Sequence, residues 1–119
     1  MAKAKQALTR DQLLAKPKIE VQKFTLPNGS IVCFKVLSFE EIRDILSQWM
    51  EPDVDRIDLV GQLVGVSVCD EEGKRLLEKG EYKALFSAFD AANYGALAEA
   101  VQRGYKLIQT NEEVSGNLN

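Results

Sequence analysis

Apolar and polar residues alternate in two short runs near the start of the chain, with a turn motif between them. The runs IEVQKFTL and IVCFKVL flank PNGS at 27–30, and an Asn-Gly pair between β-rich segments is a strong short-range hairpin signal. Val21 and Phe24 would fall on opposite faces of a regular strand, which favours either a bulge or a strand covered on both sides. The pattern therefore predicts a β-hairpin over 19–37.

The apolar positions then change to helical spacing, which predicts a helix over 39–50. Ser38 has the form of an N-cap, Glu41 stands at the third helical position, and Pro52 ends the pattern. A core-facing amphipathic helix is the main interpretation, and an exposed partner patch near its end is the alternative. The apolar positions are Phe39, Ile42, Ile45, Leu46, Trp49 and Met50.

The next segment is apolar or small at nearly every position between Ile57 and Cys69, so we expect it to be buried almost all round. Its length favours a helix over 55–68, capped by Asp53 or Asp55. The alternating valines at 64, 66 and 68 leave a strand as the alternative for 64–69. A GxxxG spacing at 61 and 65 predicts close helix packing.

The remaining pattern predicts a short helix at 81–86 and a longer one at 90–108, capped by Ser87 or Asp90. Residues 1–17 read as a flexible arm with a capping-box form at Thr9, and the polar residues 109–119 read as a disordered tail. We therefore predict an α+β, mostly helical fold in which the hairpin packs on about four helices as a single domain over 18–108.

Composition narrows the function classes. The chain has 119 residues, no histidine and a net charge of −3. Without histidine it lacks the commonest general base and zinc ligand, so we expect no enzyme. Residues 1–24 carry six basic and two acidic side chains, whereas residues 40–58 carry seven acidic and two basic ones. This balance argues against nucleic-acid binding, and no apolar run reaches the ~20 residues that span a bilayer. With no apolar signal region at its start, the chain is expected in the cytosol.

The stretch VSVCDEEGKRLL at 66–77 places a thiol beside three carboxylates, residue types that also occur in metal and catalytic sites. A calcium loop starting at Asp70 would place Lys74 and Arg75 at positions that need a ligand and a glycine. Three neighbouring carboxylates would also disfavour a reactive thiolate at Cys69. We therefore predict a polar turn at Gly73, two buried cysteines with a disulfide as the minor alternative, and no catalytic residue, metal or cofactor.

The order of these elements resembles that of the tail assembly chaperones of lambda-like long-tailed (siphovirus) phages. The resemblance runs from residue 19 to residue 108, through the segments LSFEEI, LVGVSVCDEEGKRLL and EYKALFSAFDAANYGALAEAV. The family often shows an L-V-x-x-S-V/L-x-D-E-x-G pattern before a final helix with small and aromatic residues. Its counterpart here is Leu63-Val64, Ser67-Val68, Asp70-Glu71-Gly73 and the region 81–108.

The resemblance implies a non-enzymatic role in tail morphogenesis in the host bacterial cytoplasm. Such chaperones bind the tape measure protein, help recruit tail tube subunits through a frameshifted extended form, and are absent from the mature virion. A homo-oligomer is possible. Two alternative functions are a structural tail or head–tail connector component and a small nucleic-acid-binding regulator. Because several aromatic residues exceed what a small core needs, we expect the partner to bind at Phe39, Trp49, Phe86, Phe89 and Tyr94.

Overall fold

Five α-helices and a three-stranded antiparallel sheet build the residues that the structure describes, 6–16 and 20–107 of a computed structural model. The fold is α+β and mostly helical, with 51% helix, as predicted. The helices are α1 (Arg10–Leu14), α2 (Phe39–Trp49), α3 (Arg56–Ser67), α4 (Leu85–Ala88) and α5 (Ala91–Gly104). The strands are β1 (Val21–Thr25), β2 (Ile31–Lys35) and β3 (Val68–Cys69), in the order β1-β2-β3.

The predicted hairpin forms with a tight three-residue connection. The N–H of Leu26 donates to the carbonyl of Ser30 at 2.7 Å, and Gly29 has a φ of 89°, a left-handed conformation that glycine adopts without strain. β1 pairs residue by residue with β2 from Val21↔Lys35 to Thr25↔Ile31. The register contains no bulge over Val21–Thr25, and Val21 and Phe24 are each only partly buried, while the other three residues of the strand are exposed.

The sheet contains a third strand in the valine run, for which the sequence left helix and strand as alternatives. α3 ends at Ser67, and Val68–Cys69 pairs antiparallel with β2, where the sequence predicted helix through residue 68. The valine run thus contains the end of a helix and then a short strand. The strand forms because the edge of β2 that does not pair with β1 pairs with the backbone of Val68–Cys69. Cys33 and Cys69 are direct cross-strand partners, and both are free and buried, as expected for small apolar side chains.

Helix starts follow the sequence with one exception. Asp55 caps α3 and Asp90 caps α5, each by accepting backbone N–H groups of the first turn. Thr9 forms the complete capping box with Gln12. Ser38 occupies the N-cap position of α2, but its side chain makes no capping hydrogen bond with the backbone; its hydroxyl donates instead to a carboxylate oxygen of Glu41 at 3.2 Å.

The later helices differ from their predicted bounds. The segment expected as a helix at 81–86 is a 3-10 turn over Glu81–Ala84 followed by α4, and α5 ends at Gly104 rather than continuing to 108. Lys106 has a positive φ of 64°, which a continuing helix cannot accommodate. The predicted tail 109–119 and the ends of the predicted arm, 1–5 and 17, lie outside the described residues.

The core lies between the inner face of the sheet, α3 and α5. Its fully buried members are contributed mainly by the two helices. The expectation that α3 is buried almost all round is wrong at its start, because Ile57 is 69% exposed. No helix in the described part of the chain is long and apolar enough to cross a membrane. The buried apolar cluster comprises Leu26, Phe34, Leu37, Ile42, Leu63, Val64, Val68, Leu97, Ala98 and Val101.

Candidate partner-binding surface

The five aromatic residues expected to bind a partner do not form one surface. Phe39 is 68% exposed at the start of α2, and Trp49 is partly buried at the end of the same helix, about 15 Å away at 1.5 Å per residue. Phe86 and Tyr94 are in contact, their ring centroids 5.4 Å apart in a T-shaped arrangement. Phe89 packs against the core and lines a separate groove.

Glycines on α3 position the aromatic residues of the 3-10 turn and α4. A Cβ atom added at Gly61 would lie 2.8 Å from the Phe86 ring and 2.7 Å from the Tyr82 ring, and one at Gly65 would lie 2.7 Å from the Tyr82 Cβ. Only glycine allows this approach, so the GxxxG spacing supports close packing, as predicted. Its partner is a short irregular segment rather than a long helix, which the sequence pattern did not reveal.

A hydrogen bond ties this segment to the first turn of α3. The Tyr82 hydroxyl donates to the Asp58 carboxylate, whose second oxygen accepts from Gln62 at 2.8 Å. The Tyr82 bond is the main cause that lowers the pKa of Asp58. Burial, with a smaller contribution from the same bond, raises the pKa of Tyr82 to about 12. At neutral pH both groups therefore keep the protonation states that hold α3 and the 3-10 turn together.

An apolar surface at the start of α3 lies next to Phe86 and Tyr94. Ile57 and Val60 line a depression of about 210 Å³ with Tyr94 and Arg56. We call Ile57, Val60, Phe86 and Tyr94 the aromatic patch; Ile57 is 69% and Phe86 41% exposed. The sequence analysis missed Ile57 and Val60 because both fit the expected buried helix. The signal available was the position of Ile57 in the first turn of α3, two residues after the cap Asp55.

One polar atom within the aromatic patch is unusual. The Tyr94 hydroxyl oxygen is buried and has no hydrogen-bond partner among the described residues. Burial raises the pKa of Tyr94, so the hydroxyl is neutral and able to donate at neutral pH. A buried polar atom without a partner is rare in folded proteins and costs free energy. The patch thus combines exposed apolar area with one unsatisfied donor.

The predicted polar turn forms at residues 70–74. A carboxylate oxygen of Asp70 accepts the N–H groups of Glu72 at 2.8 Å and Lys74 at 2.9 Å, and Gly73 has a φ of 88°. Among the described residues no group of three or more His, Cys, Asp or Glu could hold a metal ion. Burial raises the pKa of Cys69, which keeps its thiol protonated at neutral pH.

A second apolar depression lies at the edge of the sheet, with a volume of about 490 Å³. Ile31 and Leu76 are 63% and 56% exposed at its rim. Lys23, Asp70 and Glu71 border it, and the Lys23 ammonium lies 3.7 Å from a Glu71 carboxylate oxygen. We call it the sheet-side groove; its apolar side chains include Ile31, Leu76, Leu77, Leu85 and Phe89.

Comparisons with known proteins add no assignment. Neither a protein-family model nor a curated protein nor a solved structure matches the chain.

Proposed function

We propose that the protein is a tail assembly chaperone of a long-tailed phage that binds an apolar-faced helix of the tape measure protein. The resemblance along residues 19–108 supports the class of function. The observation that carries the proposal is the aromatic patch, an exposed apolar surface between α3, α4 and α5. Exposed apolar patches of this kind, bordered by polar residues, are typical of sites that bind other proteins.

The aromatic patch suits the helix-in-groove mode of recognition. Ile57 is exposed and lines the depression together with Tyr94, and Phe86, which contacts Tyr94, is also exposed. An amphipathic helix binds such a surface with apolar residues at positions i, i+3 or i+4 and i+7.

Charge around the aromatic patch defines the partner further. Asp53, Asp55 and Asp58 lie in the turn before α3 and in its first turn, and residues 40–58 as a whole carry seven acidic and two basic side chains. Complementary potentials speed association and disfavour wrong partners. We therefore propose that the bound helix carries an apolar stripe flanked by lysine or arginine. Recruitment of tail tube subunits through an extended form remains part of this proposal.

A co-expression experiment tests the function. The tagged protein should keep the tape measure protein soluble and co-purify with it. Ile57→Asp should weaken capture at least about tenfold, because it removes the burial of one large aliphatic side chain. Met50, which is 86% exposed at the end of α2, offers a matched control. Met50→Asp should leave capture unchanged; equal capture by both variants, or loss only in Met50→Asp, would contradict the proposed surface.

Two further measurements separate the rival functions. Mass spectrometry of purified virions should find no copies of this chain, whereas a structural tail or head–tail connector component would persist in the particles. Gel shifts at low salt should show no complex with duplex DNA, since a nucleic-acid-binding regulator relies on basic contacts to phosphates. A stoichiometric signal in virions would replace the chaperone proposal with the structural one.

A further inference from the structure

The described part of the N-terminal arm, residues 6–16, has the features of a docking segment. Its helix α1 has a complete capping box, yet every residue from 6 to 16 is exposed. Leu8 and Leu13 stand at the two positions of a hydrophobic staple, before the cap and fourth in the helix. They are 61% and 65% exposed, and Leu14 is 67% exposed.

A helix this short needs a surface to pack on. Isolated helices under about 12–15 residues are marginal in water, and α1 has five residues. Capping fixes where such a helix begins, but tertiary packing of its apolar face supplies most of its stability. The three leucines are the apolar face, so we expect α1 to be fully formed only when they are covered.

The sheet-side groove is complementary to this arm. It offers exposed apolar side chains at Ile31 and Leu76 and partly buried ones at Leu85 and Phe89. Its volume of about 490 Å³ lies in the range of pockets that take several apolar groups. The groove thus offers an apolar surface on which the exposed leucines of the arm can pack.

Charge complementarity supports the pairing. The acidic turn beside the groove carries three consecutive carboxylates, Asp70, Glu71 and Glu72, whereas the arm, residues 1–17, carries four basic side chains and one acidic one. Arg10 and Lys16 flank the leucines of the arm. An arm entering the groove would bring cations next to the acidic turn, an arrangement that favours encounter and fixes orientation.

We propose that the arm of one copy docks in the sheet-side groove of a second copy, and that the exchange is reciprocal. Within one chain the leucines and the groove are both exposed, so the fold itself leaves the two surfaces uncovered. Reciprocal exchange generates two identical contacts related by a twofold axis, which closes a dimer without leaving a free surface. This dimer is independent of the aromatic patch, on which the proposed function rests.

The oligomeric state of the full chain tests the proposal. Light scattering with size exclusion should show a dimer that dissociates on dilution. Leu13→Asp on the arm and Leu76→Asp at the groove should each raise the dissociation constant at least about tenfold. Ala15→Asp adds the same charge at an exposed position of the arm after α1 and serves as the control. A monomeric wild-type protein, or equal dissociation in Ala15→Asp, would overturn the proposal.

Mixing the two variants identifies the contact. A Leu13→Asp chain keeps an intact groove and a Leu76→Asp chain keeps an intact arm, so their mixture retains one of the two contacts. Native mass spectrometry should find the heterodimer well above either variant homodimer. A mixture no more associated than its components would exclude arm exchange. Circular dichroism of each variant checks the fold, and capture of the tape measure protein by Leu13→Asp keeps this test separate from that of the proposed function.

Discussion

Two tyrosines of the last helix region differ in how their hydroxyl groups are satisfied. Tyr105, directly after α5, accepts the N–H of Leu37 at 2.9 Å and shares a hydrogen bond of 2.8 Å with the fully buried Ser67. Tyr94, in the first turn of α5, has a buried hydroxyl without a partner among the described residues. The first tyrosine joins the end of α5 to α3 and to the segment before α2, whereas the second borders an exposed apolar patch. Only the hydroxyl of Tyr105 therefore holds separate elements of the fold together.

Removing the Tyr105 hydroxyl should produce the largest loss of stability. Tyr105→Phe leaves the Leu37 N–H and the Ser67 hydroxyl without their partner in a buried region, so we expect the free energy of unfolding to fall by about 2–4 kcal/mol. Urea denaturation followed by circular dichroism measures it. Adding Ser67→Ala should recover part of the loss, because it removes one of the two unsatisfied groups. A loss below about 0.5 kcal/mol would mean that water replaces the hydroxyl.

The Tyr82–Asp58 pair should give an intermediate, pH-dependent effect. Tyr82→Phe should cost about 1 kcal/mol at neutral pH, the value of a partly exposed hydrogen bond to a charged group. The pKa of Asp58 is lowered in the folded state, so its contribution is present above the unfolded pKa of about 3.9 and is lost as pH falls through the lower folded value.

At alkaline pH, the contribution of Tyr82 to stability is lost as the pH rises. Its pKa is raised to about 12, so its contribution is present below the unfolded value of about 10 and is lost as pH rises through about 12. The stability difference between wild type and Tyr82→Phe should therefore be largest between these limits. Asp58→Asn is the control, because it keeps a hydrogen-bond acceptor and removes the charge. A difference that is constant across the whole pH range would show that the pair does not form.

The smallest effect is expected at the aromatic patch. Tyr94→Phe removes a hydroxyl that has no partner to lose, so the free energy of unfolding should change by less than about 0.5 kcal/mol or rise slightly. The same denaturation experiment measures it beside Tyr105→Phe. A stability loss above about 1 kcal/mol would mean that the Tyr94 hydroxyl stabilises the fold as the Tyr105 hydroxyl does, which would contradict the contrast between them.

Local signals in the sequence located most elements. The Asn-Gly turn, the caps at Asp55 and Asp90 and the capping box at Thr9 each depend on neighbouring residues only, and each forms as predicted. The turn at Gly73 does as well, because the Asp70 side chain binds its own backbone. These contacts span at most four residues, so their geometry follows from the order of residue types.

The candidate surface depended on contacts between distant segments. Phe86 and Tyr94 were recognisable as aromatic residues beyond the needs of a small core, but their joining with Ile57 follows from the packing of α4 and α5 on α3. Phe89 was included with them, although it lies in the sheet-side groove. Sequence spacing cannot separate these positions, because whether an aromatic side chain faces the core or solvent depends on the neighbouring element.

By itself the sequence determined the α+β class, the hairpin, the positions at which most helices start and the polar turn at Gly73. Only the tertiary structure decided that the valine run ends as a third strand, because Val68–Cys69 pairs with a strand more than thirty residues away. It likewise decided which tyrosine is satisfied and which is not. Residue order encodes short-range hydrogen bonds and periodicity, whereas strand pairing and the accessibility of a side chain depend on residues that meet only after the chain has folded.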